Sequence, residues 1–217
     1  IYEYATIPAP LKIPTPPAPK TKRGVAVRLF REVVFFESLF HAAKWTWLFG
    51  WLFHFALLLA FFRHLRYATD PVWFWVSWEI VQAAGHYAAY MMLLGLIGLL
   101  VRRIFVDRVR HISAPSDYLI LILIIGIALS GLMMKWYPTD IFALKQFIIG
   151  LIYFSWSELP SDFLLLLHLG LVLLLMIIFP YSKLLHAPGL FFSPTRNQTD
   201  TARDSRHIAD WARKLES

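Results

Sequence analysis

The chain has 217 residues, of which 58% are hydrophobic and 16% are charged, and its formal net charge is +7. This composition excludes a soluble domain of the same size, which could not bury so much apolar surface. The chain has no cysteine, which excludes disulfides, thiolate-held iron–sulfur clusters and covalent c-type haem within it. Its eight histidines are therefore the strongest candidate ligands for a transition metal.

The first 44 residues predict a surface arm followed by an amphipathic helix. Residues 7–19, "IPAPLKIPTPPAP", hold six of the thirteen prolines and predict an extended, polyproline-like arm. Residues 24–44 mix aromatic and charged side chains, which is typical of a helix lying in the membrane interface. Because the first residue is Ile rather than Met, we expect further residues upstream, including another span.

Long apolar runs predict an all-α, polytopic bundle of membrane-spanning helices. The four predicted spans cover about residues 45–66, 79–101, 117–135 and 162–181. A shorter apolar segment at 141–156 predicts an interfacial or re-entrant helix between the third and fourth spans. We therefore expect three parts: an arm and lead-in at 1–44, a transmembrane bundle at 45–186, and a polar tail at 187–217.

The basic residues predict an orientation for these spans. Seventeen of the 21 Lys and Arg residues lie before the first span, between the second and third, or after the fourth. Since positive residues concentrate on the cytoplasmic side of membrane proteins, we expect both termini and the 102–116 loop to be cytoplasmic. We attribute the positive charge to this topology and not to nucleic-acid binding. The first and fourth spans then run antiparallel.

Two pairs of histidines lie in or next to the first and fourth spans: His54 with His64, and His168 with His186. In antiparallel spans this order opposes His54 to His186 on the cytoplasmic side and His64 to His168 on the outer side. Facing imidazoles from neighbouring helices can ligate a b-type haem, so the pattern predicts two stacked haem sites. Along straight helices, His54 and His64 would lie about 15 Å apart, whereas His168 and His186 would lie about 27 Å apart. We expect Pro180 to break the fourth helix before His186.

Other polar residues of the spans have more than one interpretation. Arg63 and Arg66 flank His64, and they either pair with haem propionates or extend to the interface as end caps. His86, in the second span, either replaces one of the four ligands, lines a quinone pocket near the outer haem, or forms a hydrogen bond inside the bundle.

The histidine spacing and its surroundings, "FHFALLLAFFRH" and "HLGLVLLLMIIFPYSKLLH", resemble the gamma-subunit family of respiratory nitrate reductase. The resemblance implies that the four histidines ligate the iron of two b-type haems, paired as above. It also implies five spans, of which this chain would carry the last four. The flanks "IPAPLKIPTPPAP" and "HAPGLFFSPTRN" are similar to the cytochrome b subunits of dissimilatory sulfite-reductase-associated redox complexes.

This resemblance implies an electron-transfer subunit of the prokaryotic cytoplasmic membrane. Its partners would be the quinone pool, other membrane subunits, and a cytoplasmic iron–sulfur subunit related to heterodisulfide reductase. The nitrate-reductase relatives place a lysine near the start of the second span, beside the quinol site, whereas "WEIVQAAGH" has none. We expect Glu79, Gln82 or His86 to line the quinone site instead. Two alternatives stay open: a non-redox membrane anchor of a peripheral enzyme, and a transporter with a histidine relay.

Overall fold

The computed structural model describes residues 2–7, 13–137 and 139–200, which form helices joined by loops, with no strand among them. Part of the predicted arm, 8–12, and part of the predicted tail, 201–217, lie outside the described residues. The helices are α1 (Tyr2–Thr6), α2 (Lys22–Phe35), α3 (Glu37–Ala42), α4 (Lys44–Ala68), α5 (Glu79–Phe105), α6 (Asp107–His111), α7 (Pro115–Met133), α8 (Ile141–Ile152), α9 (Phe163–Ile178) and α10 (His186–Phe192).

Among the described residues, four helices are long and apolar enough to cross a membrane: α4, α5, α7, and α9 together with the 3-10 turn Phe179–Tyr181. The predicted all-α bundle with four spans is therefore confirmed. Helix α5 continues to Phe105, beyond the predicted limit of residue 101, and its last turn carries Arg102 and Arg103. These side chains can reach the headgroup region while the helix continues, so the end of the apolar run does not end the helix.

The segment between the third and fourth spans contains the short helix α8. Asp140 starts it, because its carboxylate accepts hydrogen bonds from the backbone N–H groups of Phe142 and Ala143, both at 3.0 Å. Twelve residues make about 18 Å of helix, too short for a hydrocarbon core of about 30 Å. Lys145 forms an ion pair with Asp70 at 3.0 Å, which links α8 to the loop after α4.

The chain divides into two compact units, one of which is the transmembrane unit, Ala42–Ile178. Within it α4 packs most extensively on α5, and α7 packs on both α5 and α9. Gly95 permits the close contact of α4 with α5, because a Cβ there would lie 2.8 Å from the carbonyl oxygen of Phe49 and 2.9 Å from the backbone nitrogen of Phe53. Small residues at such crossings let two membrane helices pack backbone to backbone.

The fourth span ends where its proline predicts. Helix α9 stops at Ile178, and Pro180 lies in the 3-10 turn that follows. A proline cannot donate the helical hydrogen bond, and its ring disfavours helical geometry at the residue before it. The straight-helix separation of about 27 Å between the two histidines of this region therefore does not apply.

The second unit, Ile1–His41 with Phe179–Ser217, combines an N-terminal and a C-terminal segment of the chain. The N–H of Thr15 donates to the carbonyl of Thr195 at 2.9 Å. Glu32, in α2, accepts from Arg196 at 2.9 Å and from the backbone N–H of Ser38 at 3.2 Å. The arm therefore has partners on the C-terminal segment. The division of the chain into three parts, with boundaries at residues 44 and 186, stays a prediction.

Candidate functional site

The transmembrane unit brings two of the four predicted histidines together. The imidazoles of His64, in α4, and His168, in α9, have centroids 6.4 Å apart and planes inclined by 16°. These residues are more than 100 positions apart in the sequence, and the fold makes them neighbours on two different spans. The outer pairing predicted from antiparallel topology is thus matched by the positions of the two rings; what they bind stays a prediction.

Each of these rings is oriented through its Nδ1 atom. Nδ1 of His64 lies 2.6 Å from the carbonyl oxygen of Ala60, and Nδ1 of His168 lies 3.0 Å from Oγ of Ser130. A carbonyl can only accept, so His64 carries its proton on Nδ1 and presents the lone pair of Nε2. Ligating histidines in proteins are generally held by their other nitrogen in this way.

The spacing of the two rings fits one metal ion between them. Each metal–imidazole bond is about 2 Å long, so opposed ligating nitrogens lie about 4 Å apart, and the ring centroids lie further out. The observed centroid distance of 6.4 Å would allow these two residues to hold a haem iron between them. In residues 2–7, 13–137 and 139–200, no three His, Asp or Glu side chains converge to form a metal site of their own.

Arg66 contains a polar atom that suits the carboxylates of a haem. Its Nη2 donates to the hydroxyl of Tyr67 at 2.6 Å. The ring of Tyr67 lies edge-on to that of His64, with centroids 5.8 Å apart. The Nε of Arg66 is buried and has no hydrogen-bond partner among the described residues. A buried, unsatisfied guanidinium N–H is unfavourable, and a propionate oxygen would satisfy it. The residues around the outer pair therefore fit a haem.

Arg63 makes its contacts with the second span. Its Nη1 donates to the backbone carbonyl of Gln82 at 2.6 Å. Its side chain lies against Gly85, where a Cβ would be 2.9 Å from Cδ of Arg63. The glycine therefore makes room for the arginine, and pairing of Arg63 with a propionate stays a prediction.

The three residues predicted to line a quinone site differ in their surroundings. Gln82 donates through Nε2 to the carbonyl of Val76 at 2.7 Å, and its Oε1 accepts from Arg66 at 3.4 Å. Glu79 is exposed in the first turn of α5, and His86 is exposed further along it. Gln82 thus helps to hold the end of the bundle together, while the other two remain accessible.

Lys135 lies beside this group, a position that the sequence reasoning missed. It follows α7, its ammonium donates to the backbone carbonyl of His86, and it lies 4.9 Å from the centroid of the Tyr90 ring. Burial, and secondarily the charge of Arg63, lower the pKa of Lys135 from its ordinary value. The stretch "WEIVQAAGH" has no lysine of its own, but the fold supplies one from another span. The available signal was a lysine in a loop that the charge pattern predicts to be on the outer side, where basic residues are few.

The other predicted pair lies in different units. Nδ1 of His54 is 2.7 Å from the carbonyl oxygen of Gly50 in α4. Nδ1 of His186, the first residue of α10, is 3.0 Å from the carbonyl oxygen of Lys183. Both rings therefore have the Nδ1 arrangement of His64, and their pairing with each other stays a prediction from topology.

Comparison with known proteins identifies the family. The family model described as the nitrate reductase gamma subunit matches residues 37–201. The chain belongs to the nitrate reductase gamma subunit family. This confirms the resemblance expected from the histidine spacing.

Two curated relatives of this gamma-subunit family member come from Archaeoglobus species. A protein of Archaeoglobus fulgidus named "Hdr-like menaquinol oxidoreductase cytochrome b-like subunit" is 34% identical over 255 residues, covering 97% of this chain and 77% of the relative. A protein of the same name from Archaeoglobus profundus is 31% identical over 259 residues, covering 97% of this chain and 76% of the relative.

Proposed function

We propose that this chain is the dihaem cytochrome b subunit of a menaquinol oxidoreductase complex. The observation that carries the proposal is the approach of His64 and His168 from two spans, with ring centroids 6.4 Å apart and planes inclined by 16°. The orientation of each ring through Nδ1 supports it, as do the curated relatives, which are named as cytochrome b-like subunits of a menaquinol oxidoreductase.

Two b-type haems, when bound, supply one-electron chemistry, and the chain supplies their ligands and surroundings. His64 and His168 hold the iron of the outer haem, and His54 and His186 hold that of the inner one. Arg66 satisfies a propionate through its buried Nε, and Arg63 adds positive charge beside it. These groups keep an anionic cofactor oriented in a medium that solvates charge poorly.

The quinone site of this proposal lies at the outer end of α5. There Lys135 contacts the carbonyl of His86 and the ring of Tyr90, and Glu79 is accessible nearby in the chain. An ammonium donates hydrogen bonds to a quinone carbonyl, while a carboxylate or imidazole can accept the proton released when a quinol is oxidised. Menaquinol enters as the expected substrate from the names of the curated relatives.

The cytoplasmic partner is an iron–sulfur subunit related to heterodisulfide reductase, which accords with the "Hdr-like" name of the relatives. It docks on the basic side, where four arginines lie between the second and third spans: Arg102, Arg103, Arg108 and Arg110. An acidic surface on the partner would complement this loop. The membrane is the prokaryotic cytoplasmic membrane, with both ends of this chain on the inner side.

The absence of cysteine makes the orientation easy to test. Ser116 lies in the first turn of α7, directly after the basic loop, and Ser77 lies in the loop after α4; both serines are exposed and each is replaced by Cys. In sealed right-side-out vesicles, a membrane-impermeant maleimide should label Ser77→Cys and spare Ser116→Cys until the vesicles are opened. The reverse pattern would overturn the proposed orientation.

The haem content tests the function itself. A dithionite-reduced minus oxidised spectrum of the purified chain should show a b-type alpha band, with about two haems per polypeptide. A chain that assembles without any such band would be a non-redox anchor or a histidine-relay transporter. A single haem per chain would confine the proposal to one histidine pair.

A further inference from the structure

Ser130 is a buried polar side chain in the third span. Ser130 is 3% exposed. Its Oγ lies 3.1 Å from the carbonyl oxygen of Ile127 and 3.0 Å from Nδ1 of His168. A serine in a membrane helix satisfies its hydroxyl by bonding to its own backbone, and the contact with Ile127 already does so. The contact with His168, on another span, therefore goes beyond what folding of α7 requires.

The direction of these hydrogen bonds follows from the number of protons. The hydroxyl of Ser130 has one proton, and the carbonyl of Ile127 can only accept it. With that proton directed at Ile127, Oγ of Ser130 accepts from Nδ1–H of His168, and the imidazole of His168 also has a hydrogen bond with the backbone carbonyl of Ile127. This fixes the tautomer of His168 and leaves its Nε2 lone pair on the other side of the ring, as in His64.

Gly131 completes the contact with His168. A Cβ on Gly131 would lie 3.2 Å from Cε1 and 3.6 Å from Nδ1 of His168. A contact at the shorter distance is tight, so a side chain here would push the imidazole or the helix. The dipeptide Ser130–Gly131 thus offers one acceptor for the ring nitrogen and the space for the ring.

We propose that Ser130 is the positioning residue of the outer haem, holding His168 in the tautomer and ring orientation that ligation needs. The assignment rests on the proposed function. The Nδ1 atoms of His54, His64 and His186 lie against backbone carbonyls, which no substitution removes. At His168 one acceptor is a side chain, the hydroxyl of Ser130, beside the backbone carbonyl of Ile127, so part of the electron donation of this ligand depends on residue 130. A hydrogen bond from Nδ1–H makes an imidazole a more basic ligand and favours the oxidised metal.

The test compares Ser130→Ala and Ser130→Thr in the full chain, purified with its haems. Haem content, the two midpoint potentials and the low-spin electron paramagnetic resonance signals are measured for each variant. Ser130→Ala should shift the outer haem to a more positive potential and change its resonance signal, because His168 loses an acceptor and its ring can turn. The inner haem should not change. Ser130→Thr keeps the hydroxyl and should retain the wild-type potential.

Ser77→Ala is the matched control, since Ser77 is exposed in a loop and its hydroxyl donates to the carbonyl of Phe74, three residues earlier, at 2.7 Å. If Ser130→Ala does not assemble, Ser130→Cys replaces it, because a thiol has similar size and is a weak acceptor. Normal haem content with an unchanged outer potential and signal, in whichever of the two variants assembles, would overturn the role of Ser130. A wild-type chain without haem would instead overturn the proposed function, and this assignment with it.

Discussion

Lys135 and His86 are 49 positions apart, yet the ammonium of Lys135 donates to the backbone carbonyl of His86. This contact joins the segment that follows α7 to the N-terminal third of α5. It places the ammonium group of Lys135, whose pKa is lowered, in the region where we propose that menaquinol binds. The lysine lies away from the stretch in which the family resemblance led us to look for one.

The first prediction concerns the pH dependence of menaquinol oxidation. The pKa of Lys135 is lowered from 10.5 by burial and by Arg63, so the ammonium loses its proton at a lower pH than free lysine does. If the charged form of Lys135 binds the quinone, the rate of haem reduction by a menaquinol analogue should fall as the pH rises, at a pH below the ordinary pKa of lysine. Lys135→Arg should remove this fall, because a guanidinium keeps its charge.

Lys135→Met should lower the same rate by about tenfold or more at neutral pH, by analogy with loss of one charge-assisted hydrogen bond. Lys145→Met is the control, because Lys145, like Lys135, lies outside the four membrane-spanning helices of the structure but pairs with Asp70. Equal rates in the wild type and Lys135→Met would remove Lys135 from the quinone site. The haem spectrum should be unchanged in each of these variants.

The second prediction sorts the four histidine variants into two classes. His64→Ala and His168→Ala should each lose the same haem, because both rings belong to one site. His54→Ala and His186→Ala should each lose the other one. Haem content per polypeptide and low-temperature spectra distinguish the classes. His111→Ala, an exposed histidine in α6, should keep both haems. Two intact haems in His186→Ala would refute the inner pairing.

The third prediction concerns the contact between α4 and α5. Gly95→Ala would place a Cβ 2.8 Å from the carbonyl oxygen of Phe49, and because backbone atoms cannot rotate away, the two helices must separate. We expect a loss of about 1–3 kcal/mol of stability, seen as a lower unfolding temperature in detergent. Gly170→Ala is the control, since nothing lies within 4 Å of a Cβ there. It should be neutral or slightly stabilising, because Ala favours a helix over Gly.

The fourth prediction concerns the contact, within the second unit, between helix α2 and the C-terminal segment that contains Arg196. The Glu32 side chain is 10% exposed and pairs with Arg196 at 2.9 Å. Glu32→Ala should cost about 1 kcal/mol locally, since the part-buried donors of Arg196 and Ser38 lose their acceptor, and should speed limited proteolysis near Arg196. Glu37→Ala breaks the more exposed pair with Arg31 and should change cleavage little. Similar cleavage of both variants would show that the Glu32 contact does not hold the segment.

The spans and the histidine spacing were predictable because their signals are local. A run of apolar residues must form a helix in a bilayer, where every backbone polar group needs a partner within the segment. The break before His186 was predictable for a similar reason, since Pro180 acts on its own neighbours. Antiparallel topology then placed His64 and His168 on the same side, and the structure places their rings side by side.

The sequence by itself therefore determined the spans, their apolar character and the four candidate ligands. Only the tertiary structure decided which groups surround them. Ser130 and Lys135 lie 38 and 49 positions from the residues they contact, and no periodic pattern links such positions. Their roles come from how α7 packs on α5 and α9. Helix packing depends on side-chain shape at each crossing, which hydropathy does not describe.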